Sequence, residues 1–119
     1  VGDIFKLNRG ISLPGTDALC HEWNLNERME KYAALSGVSI GYFYRLFRRA
    51  TGMSPVEYRN LLRVSNACSI RKNTRFSVRE VSAIVGYDDP FYFCRIFKKH
   101  TGSAPMDYRK SNLDIDIPE

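Results

Sequence analysis

The sequence predicts an all-α fold built from two tandem helix-turn-helix subdomains joined by a linker helix. The first observation is an internal repeat, since VSIGYFYRLFRRATGMSPVEYR at residues 38–59 returns as DDPFYFCRIFKKHTGSAPMDYR at residues 88–109. The second is that each copy follows a short apolar segment ending in a turn with Gly, which is the order of a helix-turn-helix. The third is a long stretch without Gly or Pro that connects the copies, as expected of a helix.

The two ends of the chain carry weak structural signals. Residues 1–25 show little hydrophobic periodicity and are expected to be weakly ordered or to hold one short helix. That helix would lie in TDALCHEW at residues 16–23, with Leu19 and Trp23 facing inward. Residues 112–119, NLDIDIPE, contain three acids and no base and are expected to form a frayed acidic tail.

The first helix-turn-helix subdomain is predicted over residues 26–54. Its second helix should run from Ile40 to Ala50, because Ser39 is a good N-terminal cap and Gly52 a good helix stop. Its shorter first helix is expected at residues 29–35, where Arg28 stands in place of a capping residue. The apolar spacing on the second helix predicts that its aromatic pair, Phe43 and Phe47, is buried.

The linker helix is predicted over residues 55–72 and the second subdomain over residues 73–111. Ser54 and Glu57 form a capping box around a Pro at the first helical position, and a helix from there to about residue 71 would be about 24 Å long. In the second subdomain, a capping box of Ser77 and Glu80 opens a short helix over residues 78–85. Asp89 followed by Pro opens a longer helix that ends near residue 100.

The charge distribution indicates a polyanionic partner. The net charge is +5, but residues 29–111 carry fifteen basic against six acidic side chains, a net of +9. Because this excess coincides with the repeat, we expect a surface that binds double-stranded DNA. Two alternatives remain open, namely a solvated basic face and a basic helical protein–protein interaction module that meets an acidic partner.

The two longer repeated helices are predicted to be recognition helices. In such a helix, side chains near the N-terminus reach base edges in the major groove, and later cations meet phosphates. The base-reading candidates are Gly41, Tyr44 and Arg45 in the first copy and Phe91, Cys94 and Arg95 in the second.

Arg45 and Arg95 occupy the same position in the two copies, close enough to the N-terminus to bind guanine O6 and N7. The competing interpretation is that each arginine forms a salt bridge with its neighbouring helix. Phe91 suits either contact with a thymine methyl group or burial beneath the turn. Tyr44 and Cys94 replace one another at a position expected to be exposed, which indicates that the two helices read different bases.

Phosphate contacts are expected from hydroxyl-bearing and basic side chains around the same helices and at the end of the linker. These candidates are Ser39, Tyr42, Arg48, Arg49, Arg71, Lys72, Arg75, Tyr92, Lys98 and Lys99. For the two tyrosines the alternative is packing against the shorter helix of their own unit. For the cluster at residues 71–75 it is simple solvation.

The sequence carries little sign of catalysis, of a metal or of a cofactor. Cys20, Cys68 and Cys94 are odd in number and scattered, which disfavours a disulfide framework or a zinc site and favours a reducing, cytoplasmic compartment. No apolar run is long enough to span a bilayer, and no phosphate-binding glycine loop appears. A small hydrolase using Cys20 or Cys94 is the remaining enzymatic alternative.

The quoted repeats, each closing on a TG…P…YR segment, resemble the DNA-binding domain of the AraC/XylS family of bacterial transcription regulators. The resemblance covers about residues 29–110 and is clearest in GYDDPFYFCRIFKKHTGSAPMDYR at residues 86–109. It implies seven helices in two subdomains, with two recognition helices in successive major grooves of an asymmetric site.

The same resemblance implies a role in transcription control at the nucleoid, with RNA polymerase as a second partner. Activation is the expected outcome, and repression is the alternative left open. The resemblance also implies an effector-binding or dimerisation domain outside this chain, with a small stand-alone regulator as the alternative. Two residues depart from the family pattern. Arg28 replaces a small capping residue, and Arg71 stands near the end of the linker helix where leucine is usual.

Overall fold

The computed structural model describes residues 13–108, and within them every regular element is helical. Six helices have both ends in this range: α1 Pro14–His21, α2 Met29–Leu35, α3 Ile40–Thr51, α4 Pro55–Asn73, α5 Val78–Ile84 and α6 Pro90–Thr101. A further helix begins at Pro105 and continues through Tyr108. The predicted all-α fold with two helix-turn-helix pairs, α2–α3 and α5–α6, is therefore confirmed. The acidic tail and residues 1–12 lie outside the described residues.

The helix boundaries follow local capping chemistry. The Ser39 hydroxyl accepts a hydrogen bond from the Tyr42 amide at 3.1 Å, which fixes the start of α3. Asp89 does the same for α6, since its carboxylate accepts from the Phe91 amide at 2.9 Å. Both helices end on a glycine in the left-handed region, Gly52 with φ 75° and Gly102 with φ 84°.

Two capping boxes fix the starts of α4 and α5. Glu57 accepts from the Ser54 amide at 2.9 Å while the Ser54 hydroxyl accepts from the Glu57 amide at 3.1 Å. The pair Ser77 and Glu80 repeats this reciprocal arrangement with the same two distances. At the start of α2 the Arg28 side chain makes no capping hydrogen bond, yet the helix begins at Met29 as predicted. None of the described helices is long and apolar enough to cross a membrane.

The chain divides into two compact units, Val1–Leu62 and Arg63–Glu119, and the division falls inside α4. The core of the first unit gathers buried side chains from α1, α2, α3 and the first part of α4. They are Leu19, Met29, Tyr32, Ala33, Phe43, Phe47, Tyr58 and Leu62, with Trp23 half-buried against them. The predicted inward positions of Leu19 and the aromatic pair of α3 are therefore confirmed.

The second unit has a core of the same kind. Phe93 and Phe97 on α6 are fully buried, with ring centres 5.7 Å apart, and Phe97 lies 5.5 Å from the ring of Tyr108. Val81 and Val85 complete this core from the α5 side. Burying one face of α3 and one face of α6 leaves the opposite face of each helix at the surface.

Candidate nucleic-acid interface

The outward face of α3 is cationic and contains no acidic side chain. Arg45, Arg48 and Arg49 are all exposed on it, and the helix sequence IGYFYRLFRRAT has no Asp or Glu. Within residues 13–108 none of these three guanidinium groups forms an ion pair. This argues against the interpretation that Arg45 is a salt-bridge partner of the neighbouring helix.

The outward face of α6 repeats this arrangement. Arg95, Lys98 and Lys99 are exposed at the corresponding positions, and the helix sequence again lacks acids. None of the three forms an ion pair with a residue in the described part of the chain. The pair Asp88 and Asp89 precedes α6 where the first unit has Val and Ser, so the second helix begins in a more acidic setting.

Each arginine stands over a tyrosine of its own helix. The guanidinium carbon of Arg45 lies 5.5 Å from the centre of the Tyr42 ring, and that of Arg95 lies 5.5 Å from the centre of the Tyr92 ring. The two tyrosines are 44% and 39% exposed, so they are not buried against the shorter helices. This stacking is a cation–π contact between residues three apart on one helix face.

The first outward position differs most between the two helices. Gly41 leaves open space, since a Cβ built on it would meet no atom within 4 Å. The equivalent residue, Phe91, is 75% exposed, so its ring is not covered by the turn. An exposed aromatic side chain of this size suits contact with an apolar surface such as a thymine methyl group.

Tyr44 and Cys94 are less exposed than the sequence indicated. Both are half-buried, and Tyr44 packs against the core of the first unit. The expectation that this position is clearly exposed is corrected, because the buried stripe of each helix is wider than the strict core positions. Partial burial also raises the pKa of the Cys94 thiol through desolvation.

Four other phosphate candidates are placed at the surface. Ser39, Lys72 and Arg75 are exposed, and Tyr92 is 39% exposed. Of these, the Ser39 hydroxyl already serves as the cap of α3 through its hydrogen bond with Tyr42. Neither Lys72 nor Arg75 forms an ion pair with another described residue.

Arg71 must be removed from the phosphate candidates. Arg71 is only 3% exposed. Its guanidinium Nε and Nη2 both donate to the Pro105 carbonyl, at 3.1 and 2.9 Å. Nη1 donates to the Phe76 carbonyl at 3.2 Å. Arg71 therefore ties α4 to two segments of the second unit and has a structural role inside it.

Two buried residues near Tyr92, namely Tyr87 and Arg63, were not predicted from the sequence. Tyr87 is 6% exposed, and its ring centre lies 5.8 Å from that of Tyr92 in an edge-to-face arrangement. Arg63 on α4 is 2% exposed, and its guanidinium carbon lies 4.9 Å from the Tyr87 ring centre. The sequence feature that could have indicated this contact is the extra residue in the second turn. There a tyrosine follows Gly86, while a valine follows the corresponding Gly37.

All three cysteines are free and half-buried. Desolvation raises the pKa of Cys20, Cys68 and Cys94 above the ordinary value, so little reactive thiolate forms near neutral pH. In residues 13–108 no group of His, Cys, Asp and Glu is arranged to hold a metal ion. The raised thiol pKa values do not favour the nucleophilic thiolate that the hydrolase alternative requires of Cys20 or Cys94.

Comparison with known proteins agrees with this geometry. The family model described as a helix-turn-helix domain matches residues 32–111, which is more than half of the chain. The MmsAB operon regulatory protein of Pseudomonas aeruginosa is 33% identical over 83 residues, which are 68% of this chain and 27% of that protein. The chain therefore spans about a quarter of the length of this curated relative.

Two solved structures have the same fold. The DNA-binding domain of AdpA, a global transcriptional factor solved in complex with a target DNA, is 26% identical with a TM-score of 0.79, covering 87% of this chain and 96% of that one. A transcriptional regulator of the AraC type from Chromobacterium violaceum is 21% identical with a TM-score of 0.74, covering 93% and 95% of the two chains. With the tandem repeat and its paired cationic helices, these matches establish that the chain belongs to the AraC/XylS family of transcription regulators and forms the helix-turn-helix DNA-binding domain of that family.

Proposed function

We propose that this domain binds double-stranded DNA sequence-specifically by placing α3 and α6 in successive major grooves of one asymmetric site. The single observation that carries the proposal is the repeated exposed arginine, Arg45 on α3 and Arg95 on α6, each without an ion-pair partner in residues 13–108. An unpaired guanidinium near the start of a recognition helix is the group that binds guanine O6 and N7 in the major groove.

The cations that follow supply the sequence-independent part of binding. Arg48 and Arg49 on α3, and Lys98 and Lys99 on α6, are exposed one turn after the base-reading arginines. On a helix lying in the major groove, this position faces the phosphates that border the groove. Neutralising phosphates releases counterions, so the affinity should fall steeply with salt.

The site is proposed to be asymmetric because the two units are similar but not identical and follow each other head to tail. Gly41 and Phe91 differ in size at the first outward position, and Tyr44 and Cys94 differ at the half-buried one. The two helices therefore present different chemistry to DNA and should prefer different bases. Successive major grooves lie about 34 Å apart, which is longer than the predicted linker helix of about 24 Å. A modest bend of the DNA is therefore part of the proposal.

We further propose that DNA binding by this domain serves transcription control in the cell. The MmsAB operon regulatory protein is named for regulating an operon, which supports transcription control as the proposed role. A regulator acts where the chromosome lies, so we infer a cytoplasmic location at the nucleoid. RNA polymerase and an effector-binding or dimerisation domain are the further proposed partners.

The proposal is tested by selecting bound duplexes from a pool with about 30 randomised base pairs, which spans about three helical turns. The expected result is one enriched asymmetric motif with two conserved blocks about one helical turn apart. Fluorescence anisotropy should then show tighter binding to this duplex than to its scrambled version, and a steep loss with salt. Absence of any enriched motif, with equal binding to both duplexes, would contradict sequence-specific recognition and leave non-specific DNA binding. Absence of measurable binding to either duplex would make a basic protein–protein module the better interpretation.

A further inference from the structure

Arg95 is the outermost member of a stack in the second unit in which two tyrosine rings lie between two arginines. Its guanidinium carbon lies 5.5 Å from the centre of the Tyr92 ring, which is 39% exposed. The Tyr92 ring in turn meets Tyr87 edge to face at 5.8 Å. The stack therefore runs from the surface of α6 into the interior.

The inner end of this stack is fixed by burial. Tyr87 is 6% exposed and also packs against the fully buried Phe93, with ring centres 5.6 Å apart. Arg63, 2% exposed, lies 4.9 Å from the Tyr87 ring centre, and its Nη1 donates to the Gly86 carbonyl at 3.2 Å. Because a buried guanidinium must keep its partners, the position of the Tyr87 ring is well determined.

The first unit has the outer half of this arrangement and lacks the inner half. Arg45 lies over Tyr42 at the same 5.5 Å. Val38 follows Gly37 where Tyr87 follows Gly86, and Tyr42 has no aromatic partner among residues 13–108. Within residues 13–108 the Tyr42 ring therefore has fewer aromatic contacts than the Tyr92 ring.

We propose that Tyr92 positions Arg95 for base reading and that Tyr87 and Arg63 hold Tyr92, so that the second unit reads its base with a more pre-oriented arginine than the first. The inference rests on the base-reading role proposed above for Arg95. An arginine that is already ordered loses less side-chain entropy when it binds. The net free energy of its contact with the correct base is therefore larger, and so is its preference for that base over the others. Tyr92 is a positioning residue in this scheme and needs its ring rather than its hydroxyl.

The free 119-residue chain provides a first test that does not need DNA. NMR relaxation of the arginine side-chain Nε groups should show that Arg95 is more ordered than Arg45, and the Arg95 side-chain protons should be shifted upfield by the Tyr92 ring. Tyr92→Phe should keep both properties, while Tyr92→Leu should lose both. Equal order of the two arginines, or no change in Tyr92→Leu, would overturn the inference whatever the DNA measurements show.

The second test measures selectivity with the best duplex from the random pool and with copies of it that carry one changed base pair. Tyr92→Leu should lower the ratio of affinities at the Arg95-dependent base pair by about 2- to 5-fold, the effect of one exposed cation–π contact, whereas Tyr92→Phe should leave it unchanged. In an Arg95→Ala background, Tyr92→Leu should have no further effect on this ratio. Thermal unfolding of each variant checks that the fold is retained.

Two outcomes separate this inference from the proposed function. If Tyr92→Leu lowers selectivity as much in the Arg95→Ala background as in the natural chain, Tyr92 acts independently of Arg95 and the positioning role is wrong. If Arg95→Ala leaves selectivity unchanged while the chain still enriches a motif, the base-reading role of Arg95 fails and the inference fails with it, but sequence-specific binding by the domain stands.

Discussion

The Arg45 guanidinium lies over the Tyr42 ring, 5.5 Å from its centre, on the solvent side of α3. Both residues are exposed, and Arg45 has no ion-pair partner among residues 13–108. Stacking therefore restrains the side chain without neutralising its charge. An arginine that is stacked but not paired with an acid can donate hydrogen bonds to a base edge.

Replacing Arg45 or Arg95 by alanine should lower specific affinity more than non-specific affinity. Each change should cost about 1–3 kcal/mol on the selected duplex, because it removes a bidentate contact with one base. The measurement is fluorescence anisotropy on the selected and on a random duplex at one salt concentration. Lys31→Ala is a charge-matched control, since the Lys31 ammonium pairs with Glu22 and Glu27 at 3.2 and 3.5 Å. Equal losses on both duplexes would reduce the two arginines to phosphate contacts.

Lys98→Ala should weaken binding to every duplex by a similar factor. Lys98 is exposed on α6, one turn after Arg95, and its ammonium is expected to neutralise one phosphate. The slope of log affinity against log salt should therefore become shallower by about one. Titrations of the selected and the scrambled duplex over several salt concentrations measure both quantities. A change of sequence preference with an unaltered salt slope would show that Lys98 contacts a base instead.

Local chemistry explains why much of the fold was predictable from the sequence. Ser39, Asp89 and Gly52 act on backbone groups within four residues, so the ends of α3 and the start of α6 follow from the sequence alone. The exposed arginines of the repeat were predictable for the same reason, since helical periodicity decides which face is buried.

Tertiary packing explains what the sequence did not predict. Arg71 is buried because folding brings the Pro105 carbonyl, 34 residues later, against its guanidinium. The half-burial of Tyr44 depends on how closely neighbouring helices approach, which periodicity does not give. Arg63 and Tyr87 meet only across 24 residues of chain, so their contact was not visible as a local motif.

Arg71→Ala should destabilise the fold without changing the DNA affinity of the folded protein. The three hydrogen bonds to the Pro105 and Phe76 carbonyls would be lost, and the expected cost is about 2–4 kcal/mol of unfolding free energy. Urea denaturation measures this cost, and anisotropy at a temperature where the variant is folded measures binding. The neighbouring exposed cation provides the control, since Lys72→Ala should change stability by no more than about 0.5 kcal/mol. Reduced affinity of a fully folded Arg71→Ala chain would restore a direct role in binding.

Stability should fall in acid partly because of Glu22. The Tyr32 hydroxyl donates to its carboxylate at 2.9 Å and the Lys31 ammonium lies at 3.2 Å, and these contacts lower the pKa of Glu22 below 4.5. A lowered folded-state pKa means that the stabilisation is present above pH 4.5 and is lost as the pH falls through the folded value. The urea midpoint of the natural chain should therefore approach that of Glu22→Gln as the pH falls from about 6 to about 3. A constant difference between the two across this range would contradict the assignment.

Gly41→Ala should separate stability from DNA binding. In the free protein a methyl group at this position meets no atom within 4 Å, and alanine favours the helix, so the variant should be more stable by about 0.5 kcal/mol. On DNA the same methyl group would lie between the start of α3 and the base edges, and crowding there should cost about 1–3 kcal/mol of affinity. Ser65→Ala, on the exposed side of α4, is the matched control that should leave affinity unchanged. If Gly41→Ala binds the selected duplex as well as the natural chain does, the start of α3 does not approach the bases closely.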